Sequence, residues 1–480
     1  MKDSQESGTL KVCFFDAPYS ADPIQYDAGV HHVAFTSVFS GLITQYSVGK
    51  LTGTLAESWD VNSDFTVWRF KLRSGVKFED GSEITPEKIL NSFKRLAFLM
   101  AKRKSHSDIF DNLVEYDPHR PIGKDISGFR LVENNILQMN FTRPVPQLLE
   151  TISFGIYSIL HPNNFDPKTG EFKNDNGIIA SGRYRIQHWS GDSFILKRRS
   201  DFLPDIFPKN NFERVELVWT KDNLQDSDLI GHYSTMSGLG SAYKFFGPPA
   251  SGILYLYAVN YDDPVSVFSA PEMRIKFREA FYEEMKNQGH PYVRSFFPLA
   301  MSGVTESQVD PNVTKDVAEA GTGRVIRVRL RPSVTTAAPY IPVVLNSVGE
   351  KLGLKIELGD TINAIEVNDI LDRKVSGIDL VGIVTGVLVK NPKADIRFMF
   401  KSKQGVRLPD PTGAIGKMLL QEGFSANDVN QQLFSDNLIW PVNHPSDGIW
   451  VRANRVDISQ LNTLLPATDF SWIGMKSSGQ

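Results

Sequence analysis

Between Arg324 and Val389 the chain alternates strand and helix patterns, and this order restricts the fold more than any other feature of the sequence. Arg324–Leu330 sets Ile326, Val328 and Leu330 against Arg327 and Arg329. Ile341, Val344, Leu345, Val348 and Leu352 then recur at helical spacing up to a stop at Gly353. A second strand is expected over Leu354–Leu358, a helix through Ile365 and Ile370, and an almost wholly apolar strand over Ile378–Val389. A β-α-β-α-β order with a strand apolar on both faces predicts a mainly parallel sheet covered by helices on both sides.

That region is a fraction of 480 residues, which at ~150 residues per unit leaves room for about three. The first hundred residues are of a different style. Leu10–Phe15 is a short apolar strand, and Phe35, Val38, Phe39 and Leu42 share a helical face within Val33–Ile43. Phe65–Leu72 places Thr66, Trp68, Phe70 and Leu72 on one face of an antiparallel strand. A short strand is expected at Val76–Phe78. A helix follows with Thr85 as N-cap, Pro86 at its first position, and Ile84 and Ile89 spaced as a hydrophobic staple. Its buried face would carry Ile89, Leu90, Phe93, Leu96 and Ala97. Arg183–Trp189 and Phe194–Arg198 form a hairpin, Ile253–Tyr261 is an apolar strand, and Pro271 opens a helix with Met273, Phe277, Ala280, Phe281 and Met285 inside.

Charged residues make up 22% and the net charge is -3, which argues against a nucleic-acid partner. The longest nearly apolar stretches, Leu148–Leu160 and Leu380–Val389, are shorter than the roughly 18 residues needed to span a bilayer. The single cysteine, Cys13, excludes an intramolecular disulfide and a cysteine-rich metal site. S-x-x-K occurs at Ser47/Lys50, Ser74/Lys77 and Ser241/Lys244, and three hits show how cheaply the pattern arises. The adjacent His31 and His32 point apart and lack partners at metal spacing. There is no P-loop and no G-x-G-x-x-G after a strand. The residues describe an α/β protein without catalytic equipment, a kind that binds small molecules between lobes. No cofactor and no metal are expected, and no enzyme activity.

LAESWDVNSDFTVWRFKLRSGVKFEDGSEITPEKILNSFKRL, over Leu55–Leu96, resembles the signature of the oligopeptide- and dipeptide-binding proteins of bacterial ABC importers, solute-binding protein family five. FTSVFSGLIT (Phe35–Thr44), ASGRYRIQHW (Ala180–Trp189), YLYAVNYDDPVSVFSAPEMRIKFREAF (Tyr255–Phe281) and LIWPVNHPSDGIWVRANRVD (Leu438–Asp457) resemble further blocks of that family. The resemblance implies a three-lobed periplasmic-binding-protein (Venus-flytrap) fold, type II-like, with an extra small lobe. Lobe I would comprise 1–52, 178–262 and 436–480, lobe II 53–177 and lobe III 263–435. The implied function is capture of a peptide or peptide-like ligand between lobes and delivery to the membrane permease of an ABC importer. The implied setting is periplasmic or tethered outside a membrane, as a monomer. No signal-peptide core precedes Leu10. A ligand sensor of the same fold without a transporter is an alternative. So is a metal-chelate or haem binder using His31, His32 or His444.

By the same resemblance, an extended ligand is held like an added strand through backbone groups of two segments. The first matches Gly29, Val30 and His31. The second matches Val384, Thr385, Gly386, Val387 and Leu388. In the family an aspartate receives the ligand's α-amino group, and Leu388 stands at its place. Ligands carrying a free ammonium are therefore expected to bind poorly.

Overall fold

The computed structural model describes residues 8–476 except 15–16, 19, 26–29, 48–49, 103–108, 134, 174–176, 192, 203–204, 220, 234–238, 248–251, 299–303, 306–322, 363, 372–373, 387–395, 398, 401–407, 409, 411, 422 and 458–468. Three sheets organise it. Each carries its own hydrophobic core, so the molecule is built from three packed units.

The first sheet has seven strands. Thr9–Cys13 lies near its centre, parallel to both Arg214–Val218 and Leu229–Tyr233. The hairpin Tyr184–Trp189 and Phe194–Arg198 extends one side, and Asp447–Arg452 with Tyr243–Phe246 extends the other. Cys13 is fully buried on the central strand, and burial pushes its thiol up to about 11. It is a packing residue.

The second unit is a four-stranded antiparallel sheet backed by helix Pro86–Lys102. Trp68, Phe70 and Leu72 point into its core, and Arg69 and Lys71 point out, as the alternation predicts. Thr85 Oγ1 accepts from Lys88 N at 3.4 Å, and Ile84 and Ile89 are both buried beside the cap. Leu90 is only half-buried, while Leu99 and Met100 join the core in its place. Val76–Phe78 makes a single bridge, Lys77 to Glu83, because the Asp80-Gly81 turn folds the chain back too soon for a ladder. Ile24, Leu42 and Ile43 from the first 52 residues also pack in this core.

The third sheet runs in the order Lys355–Leu358, Val325–Leu330, Leu380–Gly386, Gly252–Ala258, Ile439–Asn443. Its first three strands are parallel, as the β-α-β-α-β order predicts, and the last two are antiparallel additions. Helix Ile341–Leu352 buries all five of its expected apolar residues and ends on Gly353 at φ 67, a left-handed stop that favours glycine. The expected third-lobe limits, 263 and 435, leave out the strands Gly252–Ala258 and Ile439–Asn443. Gly252–Ala258 pairs with Leu380–Gly386, and Ile439–Asn443 pairs with Gly252–Ala258, so both belong to the third sheet and not to the seven-stranded one.

Candidate functional site

Backbone groups of the third sheet that lack a neighbour define the site. In a strand, a residue's N–H and C=O leave on one side, and successive residues alternate sides. Arg331 N donates to Gly382 O at 3.2 Å, so Gly382 faces the Val325–Leu330 strand. Gly252 N donates to Pro445 O at 2.7 Å, and Val259 N donates to Asp379 O at 3.0 Å. By alternation Ile253 faces Thr385 and the pair bonds to each other. Val384 and Gly386 consequently aim their N–H and C=O groups toward the side of Val325–Leu330.

That neighbour ends too early to meet them. Its last pair is Leu330 with Gly382, after which Pro332 turns the chain into the short helix Pro332–Ala337. Proline has no N–H to continue the ladder and fits the first turn of a helix. Among the described residues no strand pairs with that edge of Val384–Gly386. Val384 is 6% exposed, and Thr385 and Gly386 are half-buried. The arrangement is a short open edge inside the molecule, able to accept one extended chain.

Two features place this edge between the first and third sheets. Helix Pro332–Ala337 lies against Leu229–Tyr233 of the seven-stranded sheet. The segment 444–446, which leads back to the seven-stranded sheet, is tied to the neighbouring strand by the Gly252 N to Pro445 O hydrogen bond. A side chain at Gly252 would meet Pro445 Cγ and O at 3.0 Å, so the start of this strand and Pro445 approach closely. Leu254 pairs with both Val384 and Asn443, which puts those three side chains on one face. Asn443 Nδ2 donates to Tyr340 Oη at 3.0 Å, and Tyr340 stacks on His290 with ring centroids 3.9 Å apart. His444 Nε2 lies 3.0 Å from Phe296 O, and burial holds its pKa below the ordinary histidine range. Asn443, Tyr340 and His444 were not singled out as hinge residues from the sequence. The asparagine-histidine-proline run in the quoted C-terminal block was the available signal.

Of the expected site residues, Val384, Thr385 and Gly386 lie together on this edge. Gly29, Val387 and Leu388 lie outside the described residues. Val30 and His31 open the helix Val30–Thr36. The cause is the apolar run beyond them: Val33, Ala34 and Phe35 bury against the seven-stranded sheet's core and draw the turn into a helix. No group of three or more histidine, cysteine, aspartate or glutamate side chains is placed to hold a metal ion among the described residues. No described helix is long and apolar enough to cross a membrane.

The described geometry is a set of α/β units with an open strand edge on the third sheet, whose backbone groups suit an extended ligand. Comparison with known proteins makes this specific. Residues 50–228 match the model for bacterial extracellular solute-binding proteins, family 5, middle region. The dipeptide-binding protein of Escherichia coli K12 is 26% identical over 207 residues, which is 41% of this chain and 38% of that protein. In sequence the chain thus spans little more than a third of the length of the curated relatives it matches. In structure, Listeria monocytogenes OppA bound to peptide superposes with TM-score 0.76 at 14% identity, covering 98% of this chain and 99% of that one. AgaA of A. tumefacien R10, in complex with agropinic acid, gives TM-score 0.70 at 15% identity, with 98% and 99% covered. Residues 50–228 thus resemble the family-5 bacterial extracellular solute-binding proteins in sequence, and the fold over nearly the whole chain is that of the solved structures named above.

Proposed function

We propose that this chain captures a peptide or peptide-like molecule between its first and third lobes and delivers it to the membrane permease of an ABC importer, without chemical change to the ligand. The observation that carries this reading is the open edge at Val384–Gly386, whose two outward backbone pairs suit one extended ligand strand. Relatives named as dipeptide- and oligopeptide-binding proteins support the ligand class. The complex of AgaA with agropinic acid supports a wider range of small organic ligands on this fold. The lobes in this reading are those around the three sheets, with the hinge at 247–251 and 444–446. The protein works as a monomer outside the cytoplasmic membrane, in the periplasm or tethered there, and has no nucleic-acid partner.

Gly29 to His31 line the same cleft from the first lobe, and Val387 and Leu388 continue the edge beyond Gly386. Leu388 sets the end of the ligand. A closed cleft strips an ammonium of water, and an uncompensated buried charge costs about 3–5 kcal/mol, on the order of a hundred- to a thousandfold in affinity. The ligand is therefore neutral or blocked at that end.

Native mass spectrometry of the purified protein identifies what co-purifies, and calorimetry with matched free and N-acetylated peptides tests the Leu388 reading. Tighter binding of the acetylated series is expected, and Leu388→Asp should shift preference toward free amines. Equal or tighter binding of free-amine peptides by the unaltered protein would refute the Leu388 assignment. Recovery of chemically altered ligand would refute the non-enzymatic reading.

A further inference from the structure

Away from the interlobe edge, a polar cavity of about 40 Å³ lies where three segments meet. They are the turn after helix Val30–Thr36, the 153–158 segment of the second unit, and the C-terminal segment at 469–471. Thr54, Ser153, Arg183 and Asp469 are among its walls. Asp469 Oδ1 accepts from Ser37 Oγ at 2.6 Å and from Ser471 N at 2.8 Å. The Ser471 side chain also engages this carboxylate. Arg183 Nε donates to Asn211 Oδ1 at 3.0 Å, and its guanidinium packs over the Phe207 ring at 5.2 Å. Its two terminal nitrogens donate to no described protein group. Thr54 is 2% exposed, its backbone is paired on both sides, and its Oγ1 is buried without a partner.

We propose that this cavity binds ordered water that bridges Thr54 Oγ1, the Arg183 guanidinium and the Asp469 carboxylate, and so joins the second unit and the C-terminal segment to the first. The chemistry selects the occupant. The walls offer donors from Arg183, an acceptor on Asp469 and a hydroxyl that serves as either, so the guest must both donate and accept. An anion would face the carboxylate and a cation the guanidinium. A neutral molecule that small is water, which needs a void of ~10–15 Å³ and two to four polar partners. Left dry, the buried Thr54 hydroxyl would carry a desolvation cost that native proteins rarely tolerate. The inference is independent of which ligand the interlobe edge takes.

The test pairs a crystal structure showing ordered solvent with two substitutions at one residue. At least one solvent peak is expected within hydrogen-bond distance of Thr54 Oγ1 and of Arg183 or Asp469. Thr54→Ser keeps the hydroxyl and should hold the melting temperature close to that of the unaltered chain. Thr54→Val keeps the shape but removes a water partner, so the melting temperature should fall and the peak should weaken. A dry cavity predicts the reverse, because valine would relieve an unsatisfied hydroxyl. An empty cavity, a direct Arg183–Asp469 contact that closes it, or a higher melting temperature for Thr54→Val would each overturn the proposal. So would a melting temperature that depends on sodium against choline at equal chloride, which would indicate an ion.

Discussion

At the scale of single residues, the edge makes an asymmetric prediction about neighbouring positions. Gly386 aims its N–H at the open side, whereas Thr385 spends its own on Ile253. Gly386→Pro removes a donor available to ligand while leaving the ladder intact, so affinity should fall about five- to tenfold with little change in melting temperature. Thr385→Pro removes a ladder bond and should lower stability first. Calorimetry beside thermal unfolding of the two variants separates these outcomes. If both lost stability equally and neither lost affinity, the assignment of sides would be wrong. His444 gives a second residue-scale prediction. Burial lowers its pKa in the folded protein, so between that value and about 6.5 the unfolded chain binds more protons. Stability should therefore be fully present above about pH 7 and decline as pH falls through the histidine range. His161, also lowered by burial, contributes with the same sign. Replacing His444 with Gln should flatten part of the slope in chemical denaturation measured from pH 7.5 to 5. An unchanged slope would remove His444 from the account.

Elements differed in how legible they were. Helix Pro86–Lys102 could be read from sequence because cap, proline, staple and apolar face all agree locally. The same is true of Ile341–Leu352, where five apolar positions and a left-handed glycine coincide. The parallel order of three strands followed from their alternation with helices. What sequence could not show was sheet membership: Gly252–Ala258 is apolar throughout, which fits either sheet, and only long-range pairing with Leu380–Gly386 decides it. The open edge was equally hidden, since it arises from where a neighbouring strand stops. Val384 to Gly386 were placed by a family resemblance, and the backbone argument for them came from register. Arg95 of Pro86–Lys102 offers a test at this scale. Its Nη2 meets Asp22 Oδ2 at 2.8 Å, with side chains only 3% and 2% exposed. Breaking such a pair from one side leaves a buried charge and should cost about 3–5 kcal/mol. Asp22→Asn and Arg95→Met should each destabilise strongly in urea unfolding, and the double variant by less than their sum. Additive losses would mean that the two side chains are not coupled.

For the whole molecule, the first and second units are fastened to one another by hydrogen bonds and an ion pair, while helix Pro332–Ala337 of the third lies against Leu229–Tyr233 of the first. Besides Arg95 and Asp22, Ser181 Oγ donates to Ile159 O at 2.6 Å and accepts from Ser40 N, and Arg199 Nη2 reaches Lys77 O at 2.9 Å. Where the chain enters the third sheet, Gly252 lies close enough to Pro445 that a side chain there would displace it. On the proposed reading the third unit moves against the other two as a hinge, with ligand enclosed on closure. The central claim is that the ligand joins the third sheet as a short strand. It is tested most directly by a crystal structure of the protein with the molecule it co-purifies with, or with an N-acetylated peptide. The account predicts ligand polar atoms within about 3 Å of the N–H and C=O groups of Val384 and Gly386. A ligand bound elsewhere, with those groups paired to the protein's own chain, would contradict it.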